Sequence, residues 1–256
     1  MNSNIISLLN KKVDEYNQPF FIANDPICIP HSFQKKQDIE IAGLFAAVFA
    51  WGNRTTIINK SNELMRLMHN EPYDFCINHT DKDLKQLLQF KHRTFNATDL
   101  LYFIAFLKSH YKKYDSLENA FTINFNKKDA NIENALIGFF DYFFSLEDSP
   151  KRTRKHIASP EKNSSCKRLC MYLRWMCRKD NKGVDFGIWK QIKPRQLIMP
   201  IDVHVARVAH KIGLTENLKA DWKTACELTE KLRALDDRDP VKYDFALFNL
   251  GVMEKY

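Results

Sequence analysis

Glycine is scarce in this chain, seven residues in 256, and the apolar residues recur at helical rather than alternating spacing. Both features argue for a nearly all-α protein. Long apolar runs are missing too: none approaches the roughly 20 residues that a membrane span requires. Residues 1–10 are too polar and too short for a secretory signal. The expectation is a soluble, cytoplasmic protein that does not engage a membrane. The six cysteines include no CxxC pair and no secreted-type framework. Cys166 and Cys170 are one helical turn apart and Cys177 lies further on, but buried free cysteine commonly serves as a small hydrophobe. No metal is expected.

What is present is a set of apolar stripes. Ile41, Leu44, Phe45 and Val48 form one; Leu100, Phe103, Ile104, Leu107 and Tyr111 a second; Leu136, Phe139, Phe140 and Phe143 a third. Residues 1–37 read as a short helix and an extended arm punctuated by Pro19, Pro26 and Pro30. A helical block follows from Asp38 to about Leu146. Gly183, Gly187 and Pro194 bracket a loop around Trp189, and a last helical group covers 203–251, its final helix starting near Asp239-Pro240. The length allows one large domain or two intimate lobes.

Charge is unevenly placed. The formal net charge is +8. Between residues 151 and 168, Lys151, Arg152, Arg154, Lys155, Lys162, Lys167 and Arg168 are opposed only by Glu161. Pro150 and Pro160 mark an irregular connection. Such a run is either a solvated loop or the footprint of a polyanion. Two further segments have the same double reading. Trp51-Gly52-Asn53-Arg54-Thr55 is a polar corner that turn chemistry explains, or a loop that faces DNA. Phe90-Lys91-His92-Arg93-Thr94-Phe95 alternates bases and aromatics, which suits stacking with phosphate contact, or is a helix connection with core phenylalanines.

The most informative tract is residues 197–214. An apolar approach reaches Pro200, and Asp202 then stands where a helix begins, with Val205, Val208, Ala209 and Ile212 on one face and Gly213 as its stop. Asp202 is either a catalytic carboxylate or an N-cap. Upstream, Asn163-Ser164-Ser165-Cys166-Lys167-Arg168 opens another helix, with Ser164 or Ser165 as its cap and Lys167 in its first turn. A cation there opposes the helix dipole, which favours a task other than stability. His204 and Arg207 lie on the Asp202 helix, within reach of Asp202 or of a ligand.

Pro200-Ile-Asp-Val-His-Val-Ala-Arg-Val208 resembles the Val-Asp-Thr-His-Val-x-Arg-Val tract of helix-hairpin-helix DNA glycosylases of the endonuclease III type. Residues 38–56 are similar to that family's early helix and the DNA-facing loop after it. Ser165-Cys166-Lys167-Arg168-Leu169 falls where the family has Gly-x-Gly-x-Lys-Thr-Ala. More closely still, the chain resembles an uncharacterised bacterial family, domain of unknown function 2400, associated with this superfamily. The resemblance spans about 38–251. It departs at the hairpin glycines, replaced by Asn163 and Ser165, and in the spacing from Lys167 to Asp202, which is longer than in endonuclease III and closer to that of archaeal 8-oxoguanine glycosylases. The four-cysteine iron–sulfur loop is absent, since only Cys226 lies beyond Asp202; no cofactor is expected.

The resemblance implies a two-lobed helical fold with a cleft between lobes, residues 38–190 making the central lobe and 1–37 with 191–256 the second. It implies a base-excision glycosylase, with lyase activity if Lys167 forms a Schiff base, acting on a damaged base flipped from duplex DNA as a nucleoid-associated monomer. Lys167 and Asp202 are then catalytic. Asn53, Arg54, Lys91, Arg93, Lys151, Arg152, Arg154, Lys155, Ser165, Arg168, His204 and Arg207 are the candidate DNA contacts. The alternative expectations are a catalytically inactive nucleic-acid-binding protein on the same scaffold, or a structural α protein with a solvated basic loop.

Overall fold

A computed structural model describes residues 3–252 and 254. The fold is all-α: 62% of the chain is helical, beside one two-stranded ribbon. In chain order the α-helices are α1 (Ser3–Tyr16), α2 (Phe20–Ala23), α3 (Lys36–Phe49), α4 (Arg54–Leu67), α5 (Pro72–Asn78), α6 (Asp81–Gln86), α7 (Ala97–Tyr111), α8 (Glu118–Thr122), α9 (Glu133–Phe143), α10 (Lys167–Cys177), α11 (Val203–Lys211), α12 (Trp222–Arg233) and α13 (Asp244–Val252). Among the described residues, no helix is long and apolar enough to cross a membrane.

Two compact units divide the chain. One comprises residues 24–125 and 137–158, the other 1–23, 126–136 and 159–256. Residues 159–190 group with the C-terminal helices.

The first unit is built around α3. Its sequence carries an apolar stripe, but every residue from Asp38 to Phe49 is buried, as befits a helix surrounded on all sides. The phenylalanines of three stripes meet here: Phe103 of α7 lies 5.6 Å from the ring of Phe45 and 4.7 Å from that of Phe143, while Phe121 stacks on Phe139 at 3.9 Å. A polar residue so deep must be satisfied. Glu40 accepts from Tyr111 Oη (2.9 Å), Ser116 Oγ (2.5 Å) and Leu117 N (3.0 Å). The segment 90–95 is a hairpin of β1 (Lys91–His92) and β2 (Phe95–Asn96) turning through Arg93, whose φ is 55°. Phe90, His92 and Phe95 are buried, so the core-phenylalanine reading holds and His92 is turned inward.

In the second unit, α13 packs on α1 and α11. The α11 stripe is buried as expected at Val205, Val208 and Ala209. Gly251 permits the close approach of α13: a Cβ there would stand 3.2 Å from His204 Cβ and from Val208 Cγ2. The extended arm expected before residue 37 is instead a chain of short helical turns, with 3-10 segments at Pro26–Cys28 and Pro30–Ser32. Proline supplies the first residue of both, where a missing N–H costs nothing.

Candidate functional site

The approach to Asp202 is rigid. Residues 197–201 are buried throughout, so the chain arrives at α11 anchored on its apolar side. Asp202 is extended (φ −124°, ψ −174°) and caps the helix: Oδ1 accepts from the N–H groups of His204 and Val205, both at 2.9 Å. Oδ2 lies 2.5 Å from Nζ of Lys167. Cap and charged partner are thus not alternatives; each oxygen has one task. A helix cap contributes about 1 kcal/mol, and it also fixes the direction in which the second oxygen points.

Lys167 is the first residue of α10. The residue before it, Cys166, is left-handed (φ 49°) and gives no side-chain cap. Neither Ser164 nor Ser165 caps the helix; Ser164 Oγ accepts from Cys166 N at 3.2 Å instead. Asn163 has a left-handed backbone (φ 53°), a conformation that asparagine tolerates better than most residues. Ser164 bridges to Asp221, the cap of α12.

Exposure and charge suit a reactive pair. The Lys167 and Asp202 side chains are 26% and 20% exposed, so the pair is sheltered but reachable. Burial pushes the Asp202 carboxyl up. The Lys167 ammonium, its hydrogen bond and the Val205 N–H pull it down further, and the balance leaves it below the ordinary carboxylate range. The ring of Phe248 on α13 lies 5.5 Å from Lys167 Nζ. Arg207 Nη2 donates to Gly251 O at 3.1 Å, and His204 is exposed on the same helix. Ser165 and Arg168 are half-buried; burial lowers the Arg168 guanidinium's proton affinity.

The remaining candidates belong to the other unit and form their own groups. Arg93 lies over the Trp51 ring at 4.2 Å and closes on Gly52, whose φ of 101° is one that residues with a side chain rarely adopt. Asn53 caps α4 by accepting from Thr56 N at 3.1 Å, and Arg54 follows it. Lys91 is exposed on β1. The stretch 151–155 is a 3-10 turn rather than an open loop. Within it Arg152 pairs with Asp99 at 2.6 Å and with Thr94 O at 3.1 Å. Arg154 lies over Phe140 and Phe144, at 5.6 and 5.1 Å. Lys151 and Lys155 are exposed.

One pair escaped the sequence reading. Asp244 at the start of α13 pairs with Arg174 of α10, seventy positions apart in the chain, and no local pattern announces it. Among the described residues, no cluster of three or more His, Cys, Asp or Glu is arranged to hold a metal.

No curated protein and no solved structure matches the chain significantly. A family model does match, over residues 25–253, and that range holds Lys167, Asp202, Arg174 and Asp244 alike. The chain therefore belongs to the family described as protein of unknown function, DUF2400.

Proposed function

We propose that this chain is a helix-hairpin-helix DNA glycosylase with lyase activity, acting on a damaged base extruded from duplex DNA. The observation that carries the reading is the Lys167 amine 2.5 Å from an Asp202 oxygen whose sister oxygen is locked by a helix cap. A base under chemical attack must leave the stack, and the exposed Arg207, on the helix that Asp202 caps, supplies a phosphate contact of the kind that holds a distorted backbone.

In this reading Lys167 passes a proton to Asp202 Oδ2, which hands it on to the departing base, and the freed lone pair bonds to the sugar C1′. The glycosidic C1′–N bond breaks, its electron pair leaving with the base. Asp202, ionised again, stabilises the positive charge that develops on the sugar. The bound amine then gives up a second proton to solvent, its lone pair opens the sugar ring, the C1′–O4′ pair goes to oxygen, which takes a proton, and a protonated Schiff base remains on Nζ.

Base release and borohydride trapping on a panel of lesion-containing duplexes test this. Wild type should release a base and form an adduct. Lys167→Gln should form none, and Asp202→Asn should release base about 10²–10³-fold more slowly. Release without any adduct reduces Lys167 to phosphate binding and removes the lyase step. Salt-sensitive binding with no release on any lesion overturns the enzyme in favour of a silent nucleic-acid binder.

A further inference from the structure

α7 is apolar on almost every side. Nine of its fifteen residues are buried, among them Leu100, Phe103, Ile104 and Leu107. A helix with one face left open normally carries polar side chains there. The open face of α7 does so only at one end. Leu101 is half-buried and Ala105, one turn on, is exposed; Lys108, Ser109 and Lys112 continue the same face. The strip begins apolar and ends cationic.

This strip is the floor of a groove of about 480 Å³ that lies wholly within the first unit. Leu84 of α6 and Leu146, just beyond α9, line it as well, and His79 joins them where α5 ends. α9 is fixed against α7 through Tyr102, whose Oη donates to Phe143 O at 2.7 Å and whose ring stacks on Phe144 at 5.9 Å. Leu146 follows two residues later, so its place is set by the core. The 3-10 turn Leu87–Gln89 also packs on α7, and its Leu88 is 51% exposed. Single exposed leucines are ordinary. A groove with an apolar floor, apolar walls and a few polar groups at one end marks a binding surface.

Charge and shape select the occupant. Lys108 and Lys112 have no carboxylate partner among the described residues, while Glu147 and Asp148 stand exposed directly after Leu146. An occupant with carboxylates near the lysines and none near Leu146 therefore enters in one orientation. The groove is open to solvent rather than enclosed, whereas small-ligand sites bury most of their ligand. Ala105 and Ser109, one turn apart in the middle of the floor, are small enough to let a second backbone approach. From Leu101 to Lys112 the strip is about 16 Å long, three turns of a partner helix. We propose that this groove receives an acidic amphipathic helix of another protein, its apolar face against Leu84, Ala105 and Leu146 and its carboxylates on Lys108 and Lys112. The groove and the Lys167–Asp202 pair belong to different units, and neither role depends on the other.

The probe is a fluorescein-labelled peptide of about 18 residues, leucine at i, i+3, i+4 and i+7 with glutamate elsewhere, long enough to become helical when bound. Its anisotropy, titrated with full-length protein, should saturate, and added salt should weaken the binding. The same peptide with lysine in place of glutamate should bind about tenfold more weakly. Ala105→Glu puts a charge on the floor at an exposed position and should cost the acidic peptide about tenfold in affinity. Lys108→Glu with Lys112→Glu should cost as much and reverse the preference between the two peptides, which a merely destabilised protein would not do. Amide chemical-shift mapping on wild type supplies a reading if the variants fail to fold: the perturbed residues should centre on the Leu101–Lys112 strip. No saturation below about 1 mM, affinity unchanged in both variants, or shifts centred elsewhere overturns the proposal. Saturable binding of decanoate with none of the peptide also overturns it and leaves a site for a small amphiphile.

Discussion

Asp99 and Asp202 are made of the same parts. Each stands at the start of a helix, and each pairs with a cation from a distant part of the sequence. At Asp99 the carboxylate itself is closed: its side chain is 0% exposed, and its oxygens meet Asn96 N, Thr153 Oγ1, His156 and Arg152, the last 37% exposed. At Asp202 one oxygen is committed to the cap while the other meets a single amine that is itself partly exposed. Burial raises both carboxyls and their partners more than offset it, so both are held below the ordinary range. Proton affinity therefore does not tell these two carboxylates apart. The number of partners and the path to solvent do.

The contrast breaks most visibly by truncation. Asp99→Ala leaves the buried Thr153 hydroxyl and His156 ring without their carboxylate and should cost about 2–4 kcal/mol of stability, the penalty for leaving buried polar groups unpaired, read as a shift in the urea midpoint. Asp202→Ala should cost only about 1 kcal/mol, the value of a cap, while abolishing base release. Equal stability losses at the two positions would dissolve the distinction.

A subtler test uses pH. The stability owed to Asp99 and Asp202 is present above about pH 4, the unfolded value, and is lost as pH falls through their lowered folded values. Asp244 has the opposite sign. With its folded value raised to about 6, its contribution is full below the unfolded value and is lost as pH rises through 6. Asp244→Asn should therefore gain on wild type between pH 4 and 7, by at most about 3 kcal/mol. Urea titrations at pH 4, 5.5 and 7 measure the difference, and a constant offset would contradict the raised value. The smallest effect concerns Arg93. Its contact with the Trp51 ring is partly exposed, and Arg93→Ala should cost about 0.5–1 kcal/mol, visible by differential scanning calorimetry.

Much of this was legible because its signals are local. A stripe at i, i+3, i+4 and i+7 announces α11 wherever that helix docks, and aspartate before it announces the cap. Lys167 in a first turn is odd enough to notice without any structure. Asp244 and Arg174 were not legible, because their pairing depends on how α10 and α13 pack, and neither residue is unusual in its own helix. The cap of α10 was misplaced for a related reason: two serines offer the right chemistry, but the left-handed turn at Cys166 carries the chain past both. The 91–96 ribbon has strands of two residues, too short to show an alternating period. Arg152 looked like part of a basic surface, and only the fold reveals Asp99 waiting beneath it.

The divided use of Asp202 makes its pairing with Lys167 conditional on folding. Until α11 forms, no amide groups hold Oδ1, and the carboxylate rotates without a fixed aim. An incompletely folded chain thus carries the lysine without an aimed carboxylate. The same coupling constrains side-chain length: a glutamate would carry its oxygens one methylene beyond the amides that now hold Oδ1. At this position the shorter acid is a gauge, setting the distance between a helix and an amine.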